Sequence, residues 1–178
     1  EMEIVKMRGI DYDSHPTSFR ISHEGIVLFP RLARELTYTV SKNRVPTGIA
    51  GLDEMTGGGY FEGSSILVTG SSGTGKTLAS LQFLVQGLKN GHQGLFVSFE
   101  ESRYQILRNV RSFGWDLEKY EKEGLLKIIV SYPEQRYLEE HINEICQTVD
   151  EFGAKLVVID SLSSLGNVFS EDILRDFV

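Results

Sequence analysis

Gly70-Ser71-Ser72-Gly73-Thr74-Gly75-Lys76-Thr77 decides the fold. It reads G-x-x-x-x-G-K-T, the phosphate-binding loop called Walker A. The glycines allow a tight turn, so successive backbone N–H groups point inward and form an anion-binding nest. The helix that follows adds the positive end of its dipole at the same point. Ser72, Gly73, Thr74, Gly75, Lys76, Thr77 and Leu78 are therefore the expected nucleotide contacts. Lys76 reaches the β- and γ-phosphates as a point charge, and the Thr77 hydroxyl ligates Mg²⁺. ATP and Mg²⁺ are the cofactors this implies.

Context separates such a loop from a plain glycine turn between a strand and a helix. Before it stands Ser65-Ile66-Leu67-Val68-Thr69, a short run rich in β-branched residues, which predicts a buried strand. After it, Leu78 to Asn90 carries Leu78, Leu81, Leu84, Val85 and Leu88 on one helical face, with Gly91 as a stop. Strand, glycine loop, amphipathic helix is the setting a phosphate loop requires.

Working outward, four apolar strands are predicted at 65–69, 95–99, 125–130 and 155–159. They alternate with helices from Arg103 to Phe113, Leu117 to Glu123 and Tyr137 to Phe152. The last has Leu138, Ile142, Ile145, Val149 and Phe152 on one stripe. Ser102 with Gln105 predicts a capping box, and Gly114, Gly124 and Gly153 predict helix stops. This alternation predicts an α/β fold with a parallel sheet covered by helices on both faces.

Two strand ends carry acids. Leu156-Val157-Val158-Ile159 ends in Asp160, which reads as a Walker B carboxylate holding Mg²⁺ directly or through water. The other reading is an Asp capping the next loop. Phe99 is followed by Glu100-Glu101, at the carboxyl end of a parallel strand, where ligands bind in open α/β sheets. One of them can serve as general base on the attacking water or hydroxyl. Acids at a helix start are the competing explanation.

The N-terminal part differs in kind. Residues 3–8 predict a strand, and Phe19–Ser22 with Ile26–Phe29 predict a hairpin around His23-Glu24-Gly25. Such a unit has too little apolar surface to fold alone and must pack on something else.

The chain has 178 residues and a net charge of −7. Residues 1–43 are neutral, with six basic and six acidic side chains, so the excess lies in 44–178. An acidic body argues against gripping duplex DNA with the general surface. No apolar run is long enough to span a bilayer, and Glu-Met-Glu at the start is not a signal peptide. The chain does not begin with Met, as expected of a fragment or of a processed chain. The one cysteine, Cys146, excludes an internal disulfide and fits a reducing, cytoplasmic location.

With these residues in view, a resemblance becomes specific. Thr47-Gly48-Ile49, Leu52-Asp53, Gly57-Gly58-Gly59, the Walker A loop, Phe99-Glu100-Glu101-Ser102, Arg108-Asn109, Gly114 and Ile159-Asp160-Ser161 together resemble the RecA-like ATPases of the KaiC type. Tyr132-Pro133-Glu134 and Asp160-Ser161-Leu162-Ser163 look like the second of that family's two tandem domains. Lys6-Met7-Arg8-Gly9 resembles the end of such a domain, where Lys and Arg reach ATP bound by a neighbouring subunit. The resemblance implies a preceding domain's tail over 1–31, a linker over 32–45 and an incomplete ATPase domain over 46–178. It implies that Glu100 and Glu101 are catalytic together with Lys76, and that Thr77, Glu100 and Asp160 lie at the metal. Ser112 and Phe113 would sit by the adenine, and Lys6, Met7 and Arg8 would serve the preceding domain's nucleotide. The register that often holds a His after Lys-Met-Arg-Gly holds Tyr12 here. The family's remaining strands, its basic finger and its paired Ser/Thr autophosphorylation sites are expected beyond Val178.

The function implied is Mg-dependent ATP hydrolysis at subunit interfaces of a homo-oligomeric, hexameric ring. Autokinase activity in the whole protein and clock-type regulatory partners go with it. Two other readings share the motifs: a DNA-repair ATPase of the RadA type, and a nucleotide-gated scaffold that turns ATP over little.

Overall fold

The computed structural model describes residues 2–6, 8–9, 17–23, 25–29 and 41–166. Three parallel strands form the sheet: β5 (Gly94–Ser98), β6 (Leu126–Val130) and β7 (Leu156–Asp160), in the order β6-β5-β7. Gly94 pairs with Leu126 on one side and Leu156 on the other, and Ser98 pairs with Val130 and Asp160. The carboxyl ends of all three strands are thus level. Every residue of β5 is buried, as expected of a parallel strand covered on both faces.

Side-chain alternation divides the core in two. Phe96 points to the face covered by α2 (Lys76–Lys89), α3 (Arg103–Arg111) and α4 (Leu117–Lys122), where it joins Leu81, Leu84, Ile106 and Leu117. Leu95, Val97 and Phe99 join a second cluster with Leu138 and Ile145 of α5 (Leu138–Phe152) and Leu165 of α6 (Leu162–Gly166). Helices cover both faces, as predicted. Helix α2 lies so close to β7 that a Cβ on Gly87 would fall 1.8 Å from Leu156 Cδ1. The capping box at Ser102 and Gln105 is formed, and Gly114, Gly124 and Gly153 adopt φ of 73°, 71° and 71° past their helices.

Two predicted strands are not formed. Residues 65–69 have no ladder, and Ile66, Leu67 and Val68 are exposed. Both edges of β5 are filled by β6 and β7, and neither of these hydrogen-bonds the run. Branched side chains favour an extended backbone, but a strand exists only with a partner. In the N-terminal segment, residues 3–6 and 8 are not strand; Met2 forms a single bridge to Thr17. Met7 and Tyr12 lie outside the described residues.

The hairpin itself is present as β1 (Ser18–Ser22) and β2 (Gly25–Phe29). Its polar face docks on α5: Arg20 Nη1 lies 2.8 Å from Glu140 Oε2, and Ser18 Oγ donates to Glu139 Oε1 at 3.1 Å. Its apolar residues Ile21, Ile26 and Leu28 face outward. The lead-in to the loop holds α1 (Ala50–Met55) and a two-residue ladder of β3 (Arg44–Val45) with β4 (Tyr60–Phe61). Asp53 is its hub, accepting from the Thr47 amide at 2.7 Å and hydroxyl at 2.6 Å. Those bonds hold the Asp53 carboxyl below its ordinary 3.8.

Candidate nucleotide site

The glycine loop ends at Gly75, whose φ of 87° a side chain would strain, and α2 starts at Lys76. The helix therefore begins two residues earlier than the apolar stripe suggests. Inside the loop, Thr74 Oγ1 donates to the Ser71 carbonyl at 2.8 Å. Lys76 Nζ folds back over the turn and donates to the carbonyls of Gly70 at 2.8 Å and Ser71 at 2.9 Å. Ser71, Ser72, Gly73 and Thr74 are exposed, so the loop faces outward.

Thr77 stands one residue further, on the first turn of α2. Its Oγ1 donates to Asp160 Oδ2 at 2.7 Å, across 83 residues of sequence. The Asp160 carbonyl in turn accepts from the Phe99 amide at 2.8 Å. The start of α2 and the ends of β5 and β7 thus converge on one point. A hydroxyl and a carboxylate side by side suit a hard divalent cation that keeps waters and takes phosphate oxygens. Among the described residues no group of three or more His, Cys, Asp or Glu could hold a metal alone. Thr77 and Asp160 fit Mg²⁺ that arrives with a nucleotide.

The two glutamates after β5 separate. Ser98 Oγ donates to the Glu101 carbonyl at 2.9 Å and accepts from the Glu101 amide at 3.0 Å, closing a tight turn. Glu101 then reaches along α3, where Asn109 Nδ2 donates to its Oε1 at 3.2 Å. Glu100 reaches across to the segment after β7, where Ser161 and Ser164 donate to its Oε1 at 2.5 and 2.7 Å. The Ser161 bond first, then that of Ser164, with the field of Lys76 added, hold the Glu100 carboxyl below the usual carboxylate range despite partial burial. Glu100 is therefore an anion at neutral pH and close to Lys76.

Other predicted site residues lie apart from the loop. Ser112 Oγ donates to the Asn109 carbonyl at 2.9 Å and finishes α3. Phe113 is half exposed and stacks on Trp115 with centroids 5.3 Å apart. No hydrogen bond or ring contact joins either residue to the loop among the described residues. Lys6 and Arg8 are exposed. A cavity of about 310 Å³ between α3 and α4, lined by Leu107, Arg111 and Trp115, also contains no loop residue. Sequence reasoning did not single out Ser164, nor the bond from Asn109 to Glu101. Ser164 stands three residues after Ser161, one helical turn away, and that spacing was the available signal.

A parallel sheet, a glycine loop entering a helix, and a strand-end Asp bonded to the loop's Thr define a P-loop nucleotide-binding domain. Residues 45–178 match the family described as "ATPase: KaiC", and the chain belongs to that family. It is 45% identical over 177 residues to the circadian clock oscillator protein KaiC of Acaryochloris marina, covering 99% of this chain and 34% of that protein. It is 42% identical over 177 residues to KaiC 1 of Synechocystis sp. and to KaiC of Synechococcus elongatus, again covering 99% of this chain and 34% of each. The chain spans about a third of the length of these curated relatives. Among the described residues no helix is long and apolar enough to cross a membrane.

Proposed function

We propose that residues 46–178 hydrolyse ATP with Mg²⁺, that 1–31 are the tail of a preceding RecA-like domain, and that 32–45 link the two. The observation that carries this reading is the 2.7 Å bond from Thr77 to Asp160, which brings the loop and the strand end together beside Glu100.

The loop amides and Lys76 hold the phosphates, and Thr77 with Asp160 hold Mg²⁺, which neutralises charge on the phosphoryl oxygens when bound. Glu100 orients the nucleophile and accepts its proton. A water oxygen bonds to the γ-phosphorus, the bond from that phosphorus to the β–γ bridging oxygen breaks, and the electron pair leaves with ADP. Glu101, tied to Asn109, keeps α3 in register with the end of β5. The half-exposed ring of Phe113 stacks on the base. The completed site lies between subunits of a hexameric ring, with Lys6, Met7 and Arg8 reaching the preceding domain's nucleotide. In the whole protein the nucleophile is water or a Ser/Thr hydroxyl, giving hydrolysis and autophosphorylation, and clock-type regulatory proteins bind the ring.

The test is nucleotide binding and turnover in the full-length protein. Lys76→Ala should abolish ATP binding while helix content stays intact. Unchanged affinity would overturn the site.

A further inference from the structure

The carboxylate of Glu100 is held on one oxygen only. Ser161 and Ser164 both donate to Oε1, at 2.5 and 2.7 Å, and no described residue hydrogen-bonds Oε2. A third hydroxyl completes the set: Ser163 Oγ lies 2.8 Å from Ser161 Oγ. Each serine has one proton to give. Those of Ser161 and Ser164 go to Glu100, so the Ser163 proton must go to Ser161. Two protons thus meet at Oε1, and the third supports the Ser161 hydroxyl behind them.

This pattern does not serve the local backbone. Ser161 precedes α6, where a serine hydroxyl ordinarily accepts from the backbone N–H two or three residues on. Here the Ser164 amide bonds the Ser161 carbonyl instead, at 3.3 Å, and the hydroxyl turns away to a residue 61 positions distant. Both ends of the contact are anchored. Leu165, beside Ser164, is fully buried, and it shares a core cluster with Phe99, which precedes Glu100.

We infer that Ser161 and Ser164 are positioning residues that pin Oε1 of Glu100 and so present Oε2 to the nucleophile. The inference rests on the proposed role of Glu100 as the group that takes the proton. Freed from both hydroxyls, this exposed carboxylate would sample several rotamers, and only a fraction would face the reacting phosphate.

The experiment is steady-state ATP hydrolysis by the full-length protein, with kcat and KM measured separately. The variants are Ser161→Ala/Ser164→Ala, Ser161→Thr/Ser164→Thr, Glu100→Gln, and the alanine pair combined with Glu100→Gln. The alanine pair should lower kcat by about 10–100-fold, the range for loss of groups that orient a functional residue. KM for ATP should stay within about 2-fold, since uniform binding is untouched. The threonine pair, which keeps both hydroxyls, should recover most of the rate. In the Glu100→Gln background the alanine pair should add nothing, because its effect passes through that carboxylate. A normal kcat in the alanine pair, with a slow Glu100→Gln, overturns the positioning role and leaves the base assignment standing. A raised KM with unchanged kcat also overturns it. Normal turnover by Glu100→Gln removes the base assignment and this inference with it. Failure of the threonine pair, together with lost ATP binding, would mean the serines support the fold instead.

Discussion

At the scale of single residues, the sequence nominates candidate positions but not where their side chains go. By spacing alone Glu100 and Glu101 were equivalent, adjacent acids at a strand end. The Ser98 turn breaks that symmetry by sending Glu101 along α3 and Glu100 across to Ser161. No local pattern encodes this, because the deciding partners stand 61 and 64 residues away. Glu100→Gln should therefore lower turnover by about 10²–10⁴, the range of a lost general base, with ATP still bound. Glu101→Gln should lose less than about 10-fold, since an amide can keep one bond to Asn109. Equal losses in the two variants would show that the turn does not separate their roles. His141 gives a second test at this scale. It is fully buried, packs edge-on against Phe99 with centroids 5.3 Å apart, and its Nδ1 lies 3.1 Å from Ser131 Oγ. Burial, reinforced by Arg136, pushes its pKa below the ordinary 6.5, against the Pro133 carbonyl, Glu144 and Glu140. The unfolded chain then binds the proton first. Stability is complete above about pH 6.5 and falls as pH drops from there towards the folded pKa. Melting temperatures between pH 8 and pH 5 should show this slope, and His141→Gln should flatten it. An equal slope in that variant would assign the loss to other groups.

At the scale of elements, periodicity and punctuation were legible: three core strands, the helices, the capping box and the glycine stops appear within a few residues of their predicted limits. The failures share one cause. The run at 65–69 has strand chemistry without a strand partner, and the β3–β4 ladder has only two residues in each strand, too few for any period to register. Partners lie outside a local window of sequence. The tight seam between α2 and β7 was equally hidden, because Gly87 reads as an ordinary flaw in a helix. It is instead what lets the helix bearing Thr77 approach the strand bearing Asp160. Gly87→Ala should raise helix propensity by about 1 kcal/mol. Yet the new methyl would collide with Leu156, which is only 6% exposed. Overpacking of this kind costs about 1–3 kcal/mol, so the variant should be no more stable than the parent and ATP binding should weaken with the displaced Thr77. Denaturant midpoints and ATP titration check both. A clear rise in stability with unchanged affinity would mean the seam is loose.

At the scale of the whole molecule, the surface of the described residues presents apolar groups where a folded monomer ordinarily has few. Ile66, Leu67 and Val68 lie exposed at 48%, 67% and 42% directly before the phosphate loop, and Ile21 and Ile26 stand out from the hairpin at 74% and 58%. The loop itself faces outward, and Glu100 is exposed beside it. A phosphoryl-transfer site needs water excluded and positive charge brought to the γ-phosphate, and within the described residues Lys76 is the cation placed for that task. On the proposed reading, a neighbouring subunit supplies the second cation and covers the site. A basic finger of this kind contributes about 10³–10⁵ in rate in other phosphoryl-transfer enzymes. Residues 1–178 alone should therefore bind ATP through the loop but turn it over at least about 10³-fold more slowly per site than the full-length protein at equal concentration. The exposed apolar runs should also drive concentration-dependent association of this piece, visible by sedimentation. An isolated piece matching the full-length rate per site while sedimenting as a monomer would refute the interface model. Every catalytic group would then have to lie within residues 46–178 of a single chain.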